Sequence, residues 1–277
     1  MSGPFAVIHI SDLHFHRFPR NPLQWFSKRG LGALNLIRRR RLHPHDRARR
    51  LVEKLDGMDW DHLVVTGDLT QLALEEEFAL ARDALAPLLN RGSERVTVLP
   101  GNHDRYVREP AGRDFFRQYF GDYFGTGEIA TRTLTETWHL AGWDSAIPTP
   151  PLVATGRVRD ETLAATEQWM EALPSGAKVI LANHYPLYFQ EPYGYRRMHS
   201  LRGMEAVRRW VVAHRVTLYL HGHLHRNWVL KVEGEGRTVT HVNSASSTQI
   251  PRAKGSSAFH RILLDGSEFR VEPQTLD

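Results

Sequence analysis

The sequence FAVIHISDLH at residues 5–14 joins a short apolar run to a polar cluster. The run from Phe5 to Ile10 predicts a β-strand, because apolar and β-branched residues dominate it. Directly after it stand Asp12 and His14, whose side chains are typical ligands of divalent cations. An apolar run that ends in a carboxylate or an imidazole recurs along the chain, and this recurrence predicts the fold class.

Four further predicted strands end in clusters of the same kind. The clusters are Gly67-Asp68-Leu69, Gly101-Asn102-His103-Asp104, Asn183-His184-Tyr185-Pro186 and Gly222-His223-Leu224-His225, after the apolar runs at 62–66, 95–99, 178–183 and 216–220. A run at 138–143 predicts another strand, and helical patterns separate the runs. Alternating strands and helices predict an α/β fold, in which the carboxyl ends of the strands form one crevice.

The C-terminal region has a different pattern. From Trp228 onward the apolar runs are separated by glycine-containing turns such as Asp265-Gly266, which predict antiparallel hairpins. No stretch rich in Pro, Gly or Ser divides the 277 residues, so we expect a single domain over 1–277.

Composition limits the chemistry further. With 41% apolar residues, 24% charged residues and a net charge of +5, disorder is excluded as the main state. The chain has no cysteine, which excludes disulfides, thiolate metal sites and thiol nucleophiles. Neither a secretory signal nor a long apolar run is visible. We therefore expect a cytoplasmic protein, and contact with the inner face of the membrane stays open.

The five ordered clusters resemble the motifs of the calcineurin-like metallophosphoesterase superfamily, which read D-x-H, G-D, G-N-H-D/E, H and G-H-x-H. The resemblance implies a four-layer αββα sandwich with two mixed sheets and a dimetal site at the carboxyl ends of the strands. It also implies the metal ligands, which are Asp12, His14 and His225 for one ion, Asn102, His184 and His223 for the other, and Asp68 as the bridge.

The implied ligands are imidazoles, carboxylates and one amide, a set that suits Mn²⁺, Fe²⁺ or Zn²⁺, and we expect Mn²⁺. Two neighbouring ions activate a hydroxide for in-line attack on phosphorus, so no protein nucleophile is required. The resemblance leaves His103 without a metal and implies that it protonates the departing oxygen or stabilises developing negative charge. Asp104 is expected to orient the His103 ring, and a helix N-cap is its alternative role.

Two insertions contain residues that the metal motifs do not explain. The segment 187–202, which follows His184, combines aromatic residues with arginines and is predicted to be a lid or substrate loop. Its candidate substrate contacts are Tyr193, Arg196 and Arg197, since aromatic rings stack on bases and guanidinium groups bind phosphate. A solvated loop is the alternative.

The other insertion, 15–44, is both basic and apolar. Residues 17–50 hold eleven Lys or Arg and one acid, a balance of +10 in a chain whose total is +5. Six residues at helical spacing predict the apolar face of an amphipathic helix over 23–41. They are Leu23, Phe26, Gly30, Ala33, Leu34 and Ile37. Three roles stay open for this helix: packing on the domain, contact with nucleic acid, or insertion into a membrane interface.

The apolar content argues against nucleic acid and indicates a lipid substrate. The arrangement is similar to that of the UDP-2,3-diacylglucosamine pyrophosphatases of lipid A synthesis, above all their chlamydial-type branch, and Trp25 and Phe26 are then candidate substrate contacts. We predict hydrolysis of a phosphodiester or pyrophosphate bond, with UDP-2,3-diacylglucosamine as the substrate. A 3',5'-cyclic AMP phosphodiesterase is the alternative enzyme, and a non-catalytic metal-binding scaffold is the alternative outside the enzymes.

Overall fold

The computed structural model describes residues 3–39, 42–110, 112–190, 197–234, 236–244, 247–250 and 258–276, with the backbone alone at 38 and 39. The strands within these residues are β1 (Phe5–Ile10), β2 (His62–Val65), β3 (Val96–Val98), β4 (Ile129–Thr133), β5 (Trp138–Trp143), β6 (Lys178–Ala182), β7 (Val216–His221), β8 (Trp228–Gly234), β9 (Arg237–Asn243), β10 (Phe259–Asp265) and β11 (Glu268–Gln274). The helices are α1 (Pro22–Trp25), α2 (Lys28–Arg39), α3 (His45–Asp56), α4 (Glu75–Leu89), α5 (Phe115–Phe124), α6 (Asp160–Glu171) and α7 (Met204–Ala213), with a 3₁₀ turn at Arg197–His199.

Two mixed sheets form the centre of the molecule. The first has the order β11-β10-β1-β2-β3, in which β1, β2 and β3 are parallel and the other two strands are antiparallel to their neighbours. The second has the order β4-β5-β6-β7-β9-β8, with a parallel centre and an antiparallel strand at each edge. Because parallel strands end at the same edge of a sheet, the polar clusters of each sheet are brought together.

The two sheets pack face to face, with helices on the outside. One buried apolar cluster combines Ile10 of the first sheet with Leu220 of the second, and Leu55 of α3 belongs to it together with side chains of α4 and α5. A second cluster joins Trp143 of the second sheet to Met170 of α6 and to side chains of α7. This arrangement confirms the predicted αββα fold with two mixed sheets.

The predicted strands agree with the observed ones to within two residues, but the sequence analysis missed β4. This strand reads IATRT and pairs antiparallel with β5 at the edge of the second sheet. Only one of its five residues is buried. An edge strand of this kind lacks the continuous apolar run that identifies a central strand.

The insertion at 15–44 contains two helices, where the apolar spacing predicted one. Helix α1 ends at Trp25 and α2 begins at Lys28. Small residues of α2 face the domain: a Cβ atom on Gly32 would overlap Leu72 and Tyr106, and Ala33 is buried. The close approach of α2 to its neighbours therefore buries its glycine and alanine positions.

Five large apolar side chains of α1, α2 and the turn between them point to solvent, whereas Leu36 of α2 is buried. The exposed fraction is 76% for Leu23, 90% for Phe26, 52% for Leu31, 55% for Leu34 and 53% for Ile37. The face predicted from the sequence is thus divided, with its small members buried and its large members exposed. None of the described helices is both long and apolar enough to cross a bilayer.

Candidate metal centre

The loops after β1 and β2 are held side by side by backbone hydrogen bonds. The Asp12 N–H donates to the Gly67 carbonyl at 2.9 Å, and the His14 N–H donates to the Asp68 carbonyl at 2.9 Å. The parallel pairing of the two strands continues in this way beyond their ends. It brings the predicted ligands of both loops to the same edge of the first sheet.

The loops of the second sheet meet this edge from the other side. The Gly222 N–H donates to the His184 carbonyl at 3.1 Å, which joins the loops after β6 and β7. The His223 N–H donates to both carboxylate oxygens of Asp12 at 3.1 Å and so connects the two sheets. The crevice predicted from the strand ends is therefore present between the sheets.

Backbone strain is concentrated in these loops. Seven described residues other than glycine have a φ in the left-handed region, and five of them are predicted metal ligands. Those five are Asp12, His14, Asp68, His223 and His225, with φ between 50° and 75°. Each such residue costs about 1–3 kcal/mol, and strain of this kind is typical of functional sites.

A first group of ligand atoms lies around Asp12. The ligand atoms of Asp12, His14, Asp68 and His225 all lie within 4.8 Å of one another. The His14 Nε2 to His225 Nε2 distance is 2.9 Å, and His225 Nε2 lies 3.4 Å from Asp12 Oδ1. Two imidazoles and two carboxylates so arranged can hold one divalent cation.

A second group shares Asp68 with the first. His184 Nε2 lies 3.5 Å from Asp68 Oδ2, 3.1 Å from Asn102 Oδ1 and 3.2 Å from His223 Nδ1. The same Asp68 Oδ2 atom lies 3.8 Å from His14 Nε2 of the first group. Asp68 is therefore the carboxylate placed between the two groups, as a bridging ligand must be.

Hydrogen bonds determine which ring nitrogen of His184 and of His223 points into the second group. His184 Nδ1 lies 2.8 Å from the Thr66 carbonyl, and His223 Nε2 lies 2.8 Å from the His199 carbonyl. A carbonyl accepts only, so both of these nitrogens donate. The opposite nitrogens, His184 Nε2 and His223 Nδ1, are thereby directed at each other and are suited to bind a cation.

The pKa values describe an anionic pocket. Burial alone would raise the pKa of Asp68, but the imidazoles of His184, His103 and His14 hold it well below its usual range. Burial alone would lower the pKa of His184, but the Asp68 charge and hydrogen bond raise it to about 9. Burial and the His184 charge lower the pKa of His223 to about 3. A proton on His184 thus occupies the position that a cation would take.

The residues present fit two divalent ions by their ligand chemistry, and two glycines allow the loops to approach the carboxylates. The groups offer imidazole nitrogens, carboxylate oxygens and an amide oxygen, a set for borderline or hard divalent cations. Gly222 allows the close approach, because a Cβ atom there would overlap Ser11 Oγ and Asp12 Oδ2. Gly101 does the same beside Asp68.

His103 lies next to the first group. Its ring centroid is 4.9 Å from that of His14. The backbone N–H of His103 donates to Asp68 Oδ1 at 2.8 Å. Its Nδ1 donates to the Gln71 carbonyl at 2.6 Å, so Nε2 is the atom available for proton transfer. The Tyr106 ring stacks on it at 5.4 Å with an interplanar angle of 11°.

The Asp104 carboxylate contacts the backbone of two neighbouring loops. Its carboxylate accepts hydrogen bonds from the N–H groups of Gly101 at 2.8 Å, Leu69 at 3.1 Å and Thr70 at 2.9 Å. It therefore ties the loop after β3 to the loop after β2, and no helix begins at it within the described residues. The His103 ring is oriented by the Gln71 carbonyl instead.

Three of the five candidate substrate residues lie within the described part of the chain. Tyr193 and Arg196 lie outside the described residues, and Arg197 begins the 3₁₀ turn whose His199 carbonyl contacts His223. Trp25 Nε1 donates to the Pro19 carbonyl at 3.1 Å, and Phe26 extends into solvent.

Sequence reasoning missed two residues of the insertion that reach the site. His43 is buried, and its ring centroid lies 4.7 Å from that of His14. Lys28 Nζ lies 4.2 Å from the centroid of the Tyr106 ring that stacks on His103. The His43-Pro44-His45 spacing was visible in the sequence, but no predicted strand precedes it and so it did not resemble the other clusters.

The two-sheet sandwich gathers these ligand groups at one edge, as the order of the motifs predicts. The chain belongs to the calcineurin-like phosphoesterase family, whose model matches residues 5–227. The matched region contains every predicted metal ligand.

A curated relative is the 3',5'-cyclic adenosine monophosphate phosphodiesterase CpdA of Vibrio vulnificus. It is 26% identical over 176 residues, which cover 61% of this chain and 56% of the relative. The chain thus spans little more than half the length of that protein.

Solved structures share the fold at low identity. A dimetal phosphatase from Danio rerio has a TM-score of 0.69 and 12% identity, with 100% of this chain and 98% of that chain covered. The phosphopantetheinyl hydrolase PptH of Mycobacterium tuberculosis has a TM-score of 0.52 and 16% identity, with 97% of this chain and 99% of that chain covered. These similarities concern the fold.

Proposed function

We propose that this enzyme hydrolyses a phosphodiester or pyrophosphate bond in a lipid-linked nucleotide at an anionic membrane surface, with UDP-2,3-diacylglucosamine as the substrate. The observation that carries the proposal is the exposed apolar surface of α1 and α2, which we call the insertion surface. It consists of Leu23, Phe26, Leu31, Leu34 and Ile37. Large apolar side chains grouped on a basic segment favour binding to anionic lipid.

The insertion surface adjoins the reaction centre through its second helix. Lys28, at the start of α2, lies over the ring of Tyr106, and that ring stacks on His103. An ammonium group at this place attracts the phosphate of a substrate. The same helix thus offers a contact to acyl chains on one side and a contact to phosphate on the other.

A groove of about 1260 Å³ supplies room for the polar part of the substrate. It is lined by Arg197, Arg202 and Arg209 together with Met198. Arg197 and Met198 of the groove belong to the same short segment as His199, whose carbonyl accepts from His223 Nε2. Guanidinium groups suit phosphate and apolar side chains suit a base or sugar face.

The proposed ligands are those of the two groups, with Asp12, His14 and His225 for one ion, Asn102, His184 and His223 for the other, and Asp68 between them. When bound, such ions activate water for attack on phosphorus and offset charge on the phosphate oxygens. His103, held by Gln71, is placed to donate a proton from Nε2 to the departing oxygen. A substrate phosphate beside the ring raises its pKa and so favours the protonated form.

The test separates lipid contact from chemistry. A Phe26→Ser, Leu34→Ser double variant removes exposed side chains, so the fold is retained. We expect kcat/KM for UDP-2,3-diacylglucosamine and binding to phosphatidylglycerol vesicles to fall by about tenfold or more, since each side chain contributes about 1.5–3 kcal/mol when buried. Hydrolysis of bis(p-nitrophenyl) phosphate stays unchanged.

A matched control is Val229→Ser, which removes an apolar side chain with 43% exposure on β8. It leaves all three measurements unchanged. An equal loss on both substrates in the double variant, or no loss on the lipid, would refute the lipid assignment.

The second candidate is hydrolysis of a 3',5'-cyclic nucleotide, which the similarity to CpdA supports. Its test is the same panel with 3',5'-cyclic AMP. A kcat/KM for cyclic AMP that exceeds that for the lipid and is insensitive to the double variant would favour this candidate.

A further inference from the structure

We propose that His43 is a further protein ligand of the ion that His14 and His225 bind. The proposal adds a ligand from the insertion to a centre otherwise built from strand ends, and it rests on the ligand set proposed above. The atoms of His14, His43 and His225 that can bind a metal all lie within 4.8 Å of one another.

The position of His43 fits coordination. The side chain is 8% exposed, and its ring centroid lies 4.7 Å from that of His14 and 5.5 Å from that of His225. Both ring pairs are close to perpendicular, with interplanar angles of 66° and 74°. The ligand atoms of the three imidazoles are close enough together to bind one ion, and His14 and His225 also belong to the separate group that contains Asp12 and Asp68.

Hydrogen bonding selects the tautomer that a ligand requires. The Thr248 hydroxyl donates to the Leu13 carbonyl at 2.7 Å, and Thr248 Oγ1 lies 3.3 Å from His43 Nδ1. Because the single hydroxyl proton is used by Leu13, the oxygen accepts from His43 Nδ1–H. The lone pair then resides on His43 Nε2, which is the tautomer of a histidine ligand whose other nitrogen is bound to the protein.

The segment that carries His43 is fixed at the same place. The Leu42 carbonyl accepts from the Ile250 N–H at 2.9 Å, and α3 begins at His45. Thr248 and Ile250 belong to the same segment, 247–250. The hydrogen bonds of Thr248 with His43 and of Ile250 with Leu42 therefore hold His43 near the loop after β1, which Thr248 contacts through Leu13. A third imidazole increases the nitrogen content of the ligand set and favours Fe²⁺ or Zn²⁺ over Mn²⁺ at this position.

The experiment uses the full chain, stripped with a chelator and titrated with Co²⁺, whose visible absorption reports coordination number. In His43→Ala we expect the Kd of one of the two Co²⁺ ions to rise by more than about 100-fold, beyond the 10–100-fold typical of an outer-shell partner. The absorption of that ion changes and the Kd of the other stays the same.

The control His45→Ala removes a neighbouring imidazole that lies against His16, at a ring distance of 4.3 Å. It leaves both Kd values and the spectrum unchanged. If His43→Ala does not fold, His43→Asn decides, because its amide retains a donor for Thr248 while the absorption of one ion still changes.

Unchanged Kd values, or a weaker Kd with an unchanged Co²⁺ spectrum, would overturn the assignment of His43 as a ligand. His14→Ala tests the proposed ligand set separately. If His14→Ala also leaves both Kd values unchanged, the proposed ligand set itself is refuted. If the Co²⁺ affinity falls in His14→Ala but not in His43→Ala, only the assignment of His43 as a ligand is refuted.

Discussion

His14 Nε2 lies 2.9 Å from His225 Nε2, although 211 positions separate the two residues in the sequence. One belongs to the loop after β1 of the first sheet and the other to the loop after β7 of the second. Two imidazole nitrogens this close together are positioned to bind a common cation. With Asp12 Oδ1 at 3.4 Å from His225, a divalent cation satisfies both rings and the carboxylate together.

Asp68 is the residue whose change affects both ions. Asp68→Asn keeps the shape and tolerates the left-handed φ of 53°, but it removes the charge between the two groups. We expect the bound metal to fall from two ions to fewer than one, with nearly complete loss of activity, because a bridging carboxylate has no substitute. Elemental analysis of the purified variant measures this.

Asp12→Ala is the comparison, since Asp12 lies in one group only. It is expected to lose one ion and keep the other. Two fully occupied ions in Asp68→Asn would show that the carboxylate does not bridge.

His103 separates proton transfer from metal binding. In His103→Asn, we expect two ions and an unchanged KM, with kcat lower by about 10²-fold or more, the usual scale for a general acid. A diester with a good leaving group loses less, because its departing oxygen needs less protonation. Steady-state kinetics with two leaving groups and a metal analysis check this, and loss of metal would identify His103 as a ligand.

Metal binding is expected to release a proton from His184. The Asp68 charge, acting against burial, raises the pKa of His184 to about 9, so at pH 7 the metal-free ring is protonated and must lose that proton to bind a cation. Affinity of the second ion therefore rises with pH, by about tenfold per unit between pH 7 and 9, and levels off above the pKa. Calorimetry in two buffers of different ionisation enthalpy counts the proton.

The variant His184→Asn has no such proton and provides the comparison. An affinity that is flat from pH 7 to 9 in the unchanged protein would contradict the prediction.

Gly222 is expected to be sensitive to one added methyl group. The Cβ atom of Gly222→Ala would overlap Asp12 Oδ2 and displace this carboxylate, so one ion is lost. At Gly57→Ala the nearest atom is 3.5 Å away, an ordinary contact, and this control keeps both ions. Metal content and thermal unfolding of the two variants are the measurements, and equal metal content would show that the carboxylate adapts.

The sequence by itself determined the central strands and the ligand clusters at their ends. An apolar run such as Phe5–Ile10 specifies a buried strand wherever it packs, and the polar residues after it must follow at the edge of the sheet. The spacing of Asp12 and His14 and the order of the clusters are properties of the chain alone. The α/β class follows from this local information, whereas the four-layer αββα sandwich was implied by the resemblance of the motifs to a known family, and the structure confirms both.

Only the tertiary structure decided what lies around that centre. The burial of Gly32 and Ala33 depends on how closely Leu72 and Tyr106 approach α2, and hydrophobic spacing, which left open whether the apolar face packs on the domain, does not record that distance. The contact of His43 with His14 depends on the path of a loop across another segment. Such contacts join residues distant in sequence through packing of whole elements, which no local pattern encodes.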